Sequence, residues 1–215
     1  MIVAERQAQT GNTQRLSQAI ARRARTHRPH TPSNRTASIG HIAVGMAAAR
    51  IYASRPRTFA STCSSMILWS GLSLLPDLDV LGFRFGIRYA DAWGHRGATH
   101  SLAFALGLAV MLGTFAPLAR RSMLRTTIVA AAVLCSHAVL DVFTDGGLGC
   151  ALLWPFDEHR YFAPWNPIPV APIGLRFFSK HALSIVGTEL VLFGPLFVYA
   201  LWPRRSEERH SDTTH

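Results

Sequence analysis

After residue 38 the chain is divided into five apolar segments, 39–53, 58–75, 101–119, 126–143 and 183–202, and this pattern limits the fold more than any other feature. Segments 58–75 and 101–119 carry no charged side chain, and 183–202 carries only Glu189. A helix that is apolar on every side needs apolar surroundings on every side, which a bilayer or the core of a large protein provides. Crossing the hydrocarbon core takes about 20 residues. The third and fifth segments meet that length and the second and fourth approach it. The first is short, and its Gly40, Gly45 and alanines favour close helix contact. The competing soluble, all-helical reading lacks the amphipathic patterning it would need. An all-α, polytopic membrane bundle of four to five spans is therefore expected.

Charge supports the same reading. The formal net charge of +10 is carried almost wholly by arginine, in residues 1–38 and in short flanks between the apolar segments. Flanking arginine is the habit of membrane proteins; specific nucleic-acid binding has nothing else to support it. Residues 1–38 have no apolar h-region, so no secretory signal peptide is expected. Their composition suits a transit peptide or a disordered basic tail. The expected organisation is a tail over 1–38, a helical membrane domain over 39–203 and a polar tail over 204–215. Within the domain, 144–181 is rich in proline and aromatics and is expected to lie as an irregular loop against one end of the bundle. Cys63, Cys135 and Cys150 form no CxxC pair or disulfide framework.

Acidic residues are few, and outside the tails most lie close to a histidine: Asp77, Asp79, Asp91, Asp141, Asp145, Asp157, Glu158 and Glu189. If the five segments cross in alternating directions, one face receives His41, Asp77, Asp79, His95, His100, His137, Asp141 and His181. The other receives Arg50, Arg55, Arg57, Arg120, Arg121, Arg125, Arg204 and Arg205. Such sorting points to one polar site at a rim of the bundle, because ionisable groups beside a span need partners, a ligand or water. His137 and Asp141, four apart, stack on one helix face. Imidazole and carboxylate together suit zinc or manganese. The expected ligands are His41, Asp77, Asp79, His95, His100, His137 and Asp141, with His95 the member most readily turned aside to orient an aspartate. Asp79 or Asp145 is the expected general base. Arg96 is expected at the mouth, binding an anionic substrate group; the competing reading makes it a loop anchor, with Asp91 the nearest acid. Thr99 or Ser101 is expected to cap the following helix, and Glu189 to be a structural hydrogen-bond partner.

The ordered motifs Gly40-His41, Leu75-Pro76-Asp77-Leu78-Asp79, Gly94-His95-Arg96-Gly97-Ala98-Thr99-His100-Ser101, Ser136-His137 through Asp141 and Leu153-Trp154-Pro155 resemble those of the YdjM-like family of membrane-bound, predicted metal-dependent hydrolases. Some members of that family are described as LexA-binding and inner-membrane-associated. The resemblance covers about residues 39–160 and is most specific in the HRGxTHS run. It implies a bacterial helical protein of the inner (cytoplasmic) membrane, multi-pass, with a divalent-metal hydrolase site. The long arginine-rich N-terminal extension departs from the family's compact start.

The leading expectation is a membrane-integrated, metal-dependent hydrolase of a small-molecule or lipid-like ester or phosphoester near the bilayer surface. A non-catalytic adaptor with a regulatory protein partner is the first alternative, discriminated by whether Asp77, His100 and His137 converge. A transporter ranks third, since the ionisable groups lie at segment ends and no internal repeat is visible. Orientation is open: the loop arginines put the site outside, whereas the basic N-terminal tail lies on the site face and pulls the other way.

Overall fold

The computed structural model describes residues 35–36, 38–53, 58–172 and 180–203. The readings that concern the N-terminal tail, Arg55, Arg57, the side chain of His181 and the C-terminal tail lie outside the described residues. The architecture is helical. A two-residue antiparallel pairing of β1 (Arg35–Thr36) with β2 (Ala171–Pro172) is its only regular strand contact among the described residues.

Helix α1 (Ser38–Tyr52) is too short to span and lies between the others. It packs on α2 (Phe59–Leu74), on α4 (Met123–Val142) and on α5 (Lys180–Leu201), while α3 (Leu102–Phe115) packs on α4. The first turn of α1 contains no acid. Glu189, 1% exposed on α5, fills that place by accepting the Ile39 N–H at 3.1 Å. A carboxylate at a helix N-terminus satisfies an orphan donor and the helix dipole together, so Glu189 has the structural role expected of it.

Local chemistry sets the other boundaries. The Thr58 hydroxyl accepts the Ser61 N–H and starts α2. Pro76 cannot donate to the preceding turn, and from Leu75 the chain tightens into a 3₁₀ run that ends at Gly86, whose φ is 81°. With this run the apolar stretch extends over Phe59–Phe85, and Asp77 and Asp79 fall within it rather than beyond its end. Ser101 caps α3 by accepting the Phe104 N–H at 3.0 Å, so of the two expected caps it is Ser101 that serves. Ser122 caps α4 in the same way.

Among the described residues, four helical stretches are long and apolar enough to cross a membrane: Phe59–Phe85, Leu102–Ala119, Met123–Val142 and Leu183–Leu201. The distribution of side chains settles against a soluble bundle. Large apolar residues point outward, Ile67 at 74% and Val191 at 80% exposure, whereas the interior is built largely from alanines and polar side chains. Small residues let helix backbones approach where lipid offers no hydrophobic drive for association. Gly45 shows how close the approach is, since a β-carbon there would lie 2.4 Å from Ser70 Cα.

The loop after α4 folds over the end of the bundle that carries the histidines. Ala151 N–H bonds the Arg96 carbonyl and Leu102 N–H the Leu152 carbonyl. Arg160 ties the loop down by donating to the carbonyls of His95, Gly149, Tyr89 and Asp91. Trp93 and Trp154 meet edge to face at 5.3 Å on the same side.

The close α1–α2 contact yields a direct test. Gly45→Ala is expected to lower stability by about 1–3 kcal/mol through overpacking, read as a lower thermal midpoint in detergent. Gly107→Ala, where an added β-carbon meets nothing within 4 Å, is expected to leave the midpoint unchanged.

Candidate metal centre

Three elements deliver the central side chains. The 3₁₀ run after α2 brings Asp77, the short turn Ala98–His100 brings His100, and α4 brings His137 and Asp141 one turn apart. One ligand atom from each lies within 4.8 Å of all the others. His100 Nε2 is 3.0 Å from His137 Nε2, 3.4 Å from Asp77 Oδ1 and 3.4 Å from Asp141 Oδ2. His137 Nε2 is 3.6 Å from Asp77 Oδ1 and 3.9 Å from Asp141 Oδ2. Donors bonded at about 2.0–2.2 Å to one tetrahedral ion stand about 3.3–3.6 Å apart. The separations of 3.0–3.9 Å bracket that size, so shifts of a few tenths of an ångström would fit the donors to one ion.

Hydrogen bonding tests the fit independently. His137 Nδ1–H donates to the Ser73 carbonyl at 2.7 Å. His100 Nδ1–H faces Asp79 Oδ2 at 3.1 Å and Thr99 Oγ1 at 3.1 Å. In each neutral ring the proton is therefore on Nδ1, and Nε2 presents a lone pair. Two lone pairs facing at 3.0 Å repel unless a proton or a cation lies between them. Burial alone would push His100 toward neutrality, but the carboxylates of Asp141, Asp77 and Asp79 outweigh it and hold its pKa well above the usual histidine range. The field that favours a proton there favours a metal cation as well.

Around this set stands a layer that orients it. Asp79 accepts from His95 Nδ1–H at 2.7 Å, Thr99 Oγ1–H at 2.7 Å, the Arg96 N–H at 3.2 Å and His100. Three of these donors meet Oδ2 and one meets Oδ1, so Asp79 is committed mainly to orienting its neighbours rather than placed as a free base. It also forms a second compact group with His95 and His100. His95 faces Asp79 alone and orients it, while His100 faces Asp77 and Asp141. His41 stacks on His137 with ring centroids 3.9 Å apart and places Nε2 3.3 Å from Asp141 Oδ1. It thus holds the oxygen of Asp141 that points away from His100, and its own Nδ1 is buried with no partner among the described residues.

Arg96 differs from the expected mouth-facing cation. It is 2% exposed, in a left-handed backbone conformation with φ of 62°. Nη1 donates to Thr144 Oγ1 at 2.8 Å and to the Gly146 carbonyl at 2.6 Å. Nε lies 3.1 Å from Asp141 Oδ2 as an ion pair, although its N–H is not aimed along that line. Burial works against the Arg96 charge, but the neighbouring Asp141 prevails and raises its pKa. Asp91 is not its partner, because Asp91 pairs with Arg88 at 3.0 Å. Asp145 also departs from expectation. It is exposed and accepts the Val170 N–H at 2.9 Å, so it shapes the loop rather than serving as a base at the cluster.

Three contributors had little sequence signal. The Ser73 carbonyl is available to His137 because Pro76 has no N–H to return to it in a 3₁₀ turn. Thr144 and Arg160 act only after the loop has closed. Cys150 is buried beside the cluster, and burial with the Asp141 charge pushes its thiol up to about 12, so it stays protonated.

Arg96→Lys would keep the charge and lose the fork that joins Asp141 to Thr144 and Gly146. Misplacing a group that orients a ligand typically weakens metal affinity by about 10–100-fold. That is the expected loss, measured by competition with a chromophoric chelator, with helicity retained.

The family described as "YdjM inner membrane protein" matches residues 37–206. The chain is 40% identical over 148 residues, 65% of its own length and 84% of the relative's, to "Inner membrane protein YbcI" of Escherichia coli (strain K12). No solved structure matches it. With four apolar helices of membrane length among the described residues and a His/Asp cluster that could hold a metal ion, the chain belongs to the YdjM inner membrane protein family and is a multi-pass inner-membrane protein.

Proposed function

We propose that this protein is a metal-dependent hydrolase acting on an ester or phosphoester near the bilayer surface. One observation carries the reading: two imidazole Nε2 atoms, each with its Nδ1 proton engaged elsewhere, face each other at 3.0 Å between two carboxylates. His100, His137 and Asp141 are the residues that would hold a zinc or manganese ion. The ion supplies Lewis acidity, which activates water and polarises an ester oxygen.

The chain's own groups divide the remaining work. Asp77 is the accessible member of the set, its side chain 16% exposed, against 0% for both histidines and 3% for Asp141. Water and substrate approach at Asp77, and its carboxylate is the one able to receive a proton from an attacking water. Asp79, His41 and Arg96 keep the imidazoles and Asp141 in register. The neighbours of Asp77 on the 3₁₀ run, Leu78 and Leu81, are 60% and 50% exposed, which favours a lipid-like substrate at the membrane surface. Because Arg96 is spent on Asp141 and the loop, it no longer argues for a phosphoester over a carboxylic ester.

A second reading has its own observation. Four protein donors near tetrahedral spacing would close the shell of a structural zinc ion, whereas catalytic sites keep a position open. The protein would then be a non-catalytic adaptor. Asp77→Asn separates the two: as an enzyme it is expected to keep its metal and lose turnover by at least about 100-fold, whereas in a closed structural site it loses metal. The primary test is elemental analysis of purified wild type beside His100→Ala, followed by an ester and phosphoester panel with and without chelator. One divalent ion per chain in the wild type, little in His100→Ala and chelator-sensitive hydrolysis are expected. A wild type that holds no metal under mild conditions would refute the proposal.

A further inference from the structure

A cavity of about 680 Å³ lies between α2 and α3, floored by α4, and opens toward the end of the bundle away from the histidines. It exists because α2 and α3 both lean on α4 while barely meeting each other. Trp69 and Ala130 close it on the inside, and Leu68 and Phe115, 71% and 61% exposed, stand at its outer edge. It therefore opens sideways, toward the space that lipid occupies around a spanning bundle.

Its length and its charge say what fits. Along α2 the lining runs from Ser61 to Leu72, a rise of about 16 Å at about 1.5 Å per residue. That is the depth of one leaflet, half of a hydrocarbon core of about 30 Å. At the leaflet-surface end stands Arg121, exposed, with its guanidinium 5.9 Å from the Tyr52 ring centroid and no carboxylate paired to it among the described residues. Arg120 and Arg125 flank it in sequence. Arg125 is engaged by the Ile51 carbonyl as well as the Tyr52 ring, and of the three only Arg121 lines the cleft. An apolar slot one acyl chain deep with a cation at its surface end has the shape and charge of an anionic phospholipid.

We propose that this cleft is a binding site for one anionic phospholipid, with an acyl chain between α2 and α3 and the headgroup phosphate at Arg121. The cationic end of the cleft, at Arg121, lies at the opposite end of the helices from the metal ligands, and the proposal does not depend on the hydrolase reading. A headgroup phosphate is attracted by arginines at a membrane surface whichever leaflet they face.

The test uses the full chain in mild detergent, incubated with equal amounts of phosphatidylglycerol and phosphatidylethanolamine of matched acyl chains, repurified and analysed for retained lipid by mass spectrometry. Phosphatidylglycerol is expected to be retained preferentially. Arg121→Gln is expected to reduce that preference about fivefold, the worth of one arginine near an anionic surface. Ser65→Phe, which fills the cleft, is expected to lose retained lipid of both kinds. Ile67→Phe, on the outward face of α2 at 74% exposure, is the control and should change neither. Equal retention of the two lipids by the wild type, meaning surrounding bilayer lipid only, would overturn the proposal, as would a preference that survives Arg121→Gln. Arg121→Gln alters only a surface side chain, so the test stands even if Ser65→Phe fails to fold.

Discussion

Burying carboxylates and imidazoles inside an apolar bundle is tolerable only when every charge has a partner, and the pairing around Asp141 and Asp79 meets that demand. Asp141 is held by His41 and His100 and paired with Arg96; Asp79 is held by His95, Thr99, the Arg96 amide and His100. Each aspartate collects groups from different parts of the chain. Removing one partner from such a network leaves another charge uncompensated in a low dielectric. The end of the bundle is thus specified by its polar interior, and the apolar exterior supplies length and solubility in lipid.

This division explains the inverted composition. Alanines and glycines occupy the helix contacts, where a soluble protein would place leucine and phenylalanine, and the large side chains face outward. Close contact between α1 and α2 at Gly45 brings the short helix α1 deep enough for His41 to reach Asp141. The 3₁₀ run after Leu75 has a comparable role. Its tighter pitch and Pro76 keep Asp77 and Asp79 inside the apolar stretch, beside the turn that carries His100. A regular α-helix through the same residues would set the two aspartates elsewhere around the axis.

Two ends of one bundle then serve different chemistries. The histidine end, roofed by the loop that Arg160 fastens, concentrates negative charge around two imidazoles. The arginine end has an apolar cleft with positive charge at its rim. The segregation of the two residue classes along the chain produces this polarity directly, because successive helices reverse direction.

Much was legible in the sequence because its cause is local. Apolar runs of membrane length, the serine and threonine caps, and the alternation of His/Asp ends with Arg ends depend on residue order alone. So does the convergence of Asp77, His100, His137 and Asp141, once alternating direction is granted. What only the tertiary structure decided is the assignment within that cluster. Which carboxylate collects the orienting hydrogen bonds, which nitrogen carries the proton and whether Arg96 faces water or Asp141 all depend on partners distant in sequence. Thr144, the Ser73 carbonyl and the closed loop are such partners. Hydrogen-bond capacity is filled in three dimensions, and a linear pattern of donors and acceptors does not say which will meet.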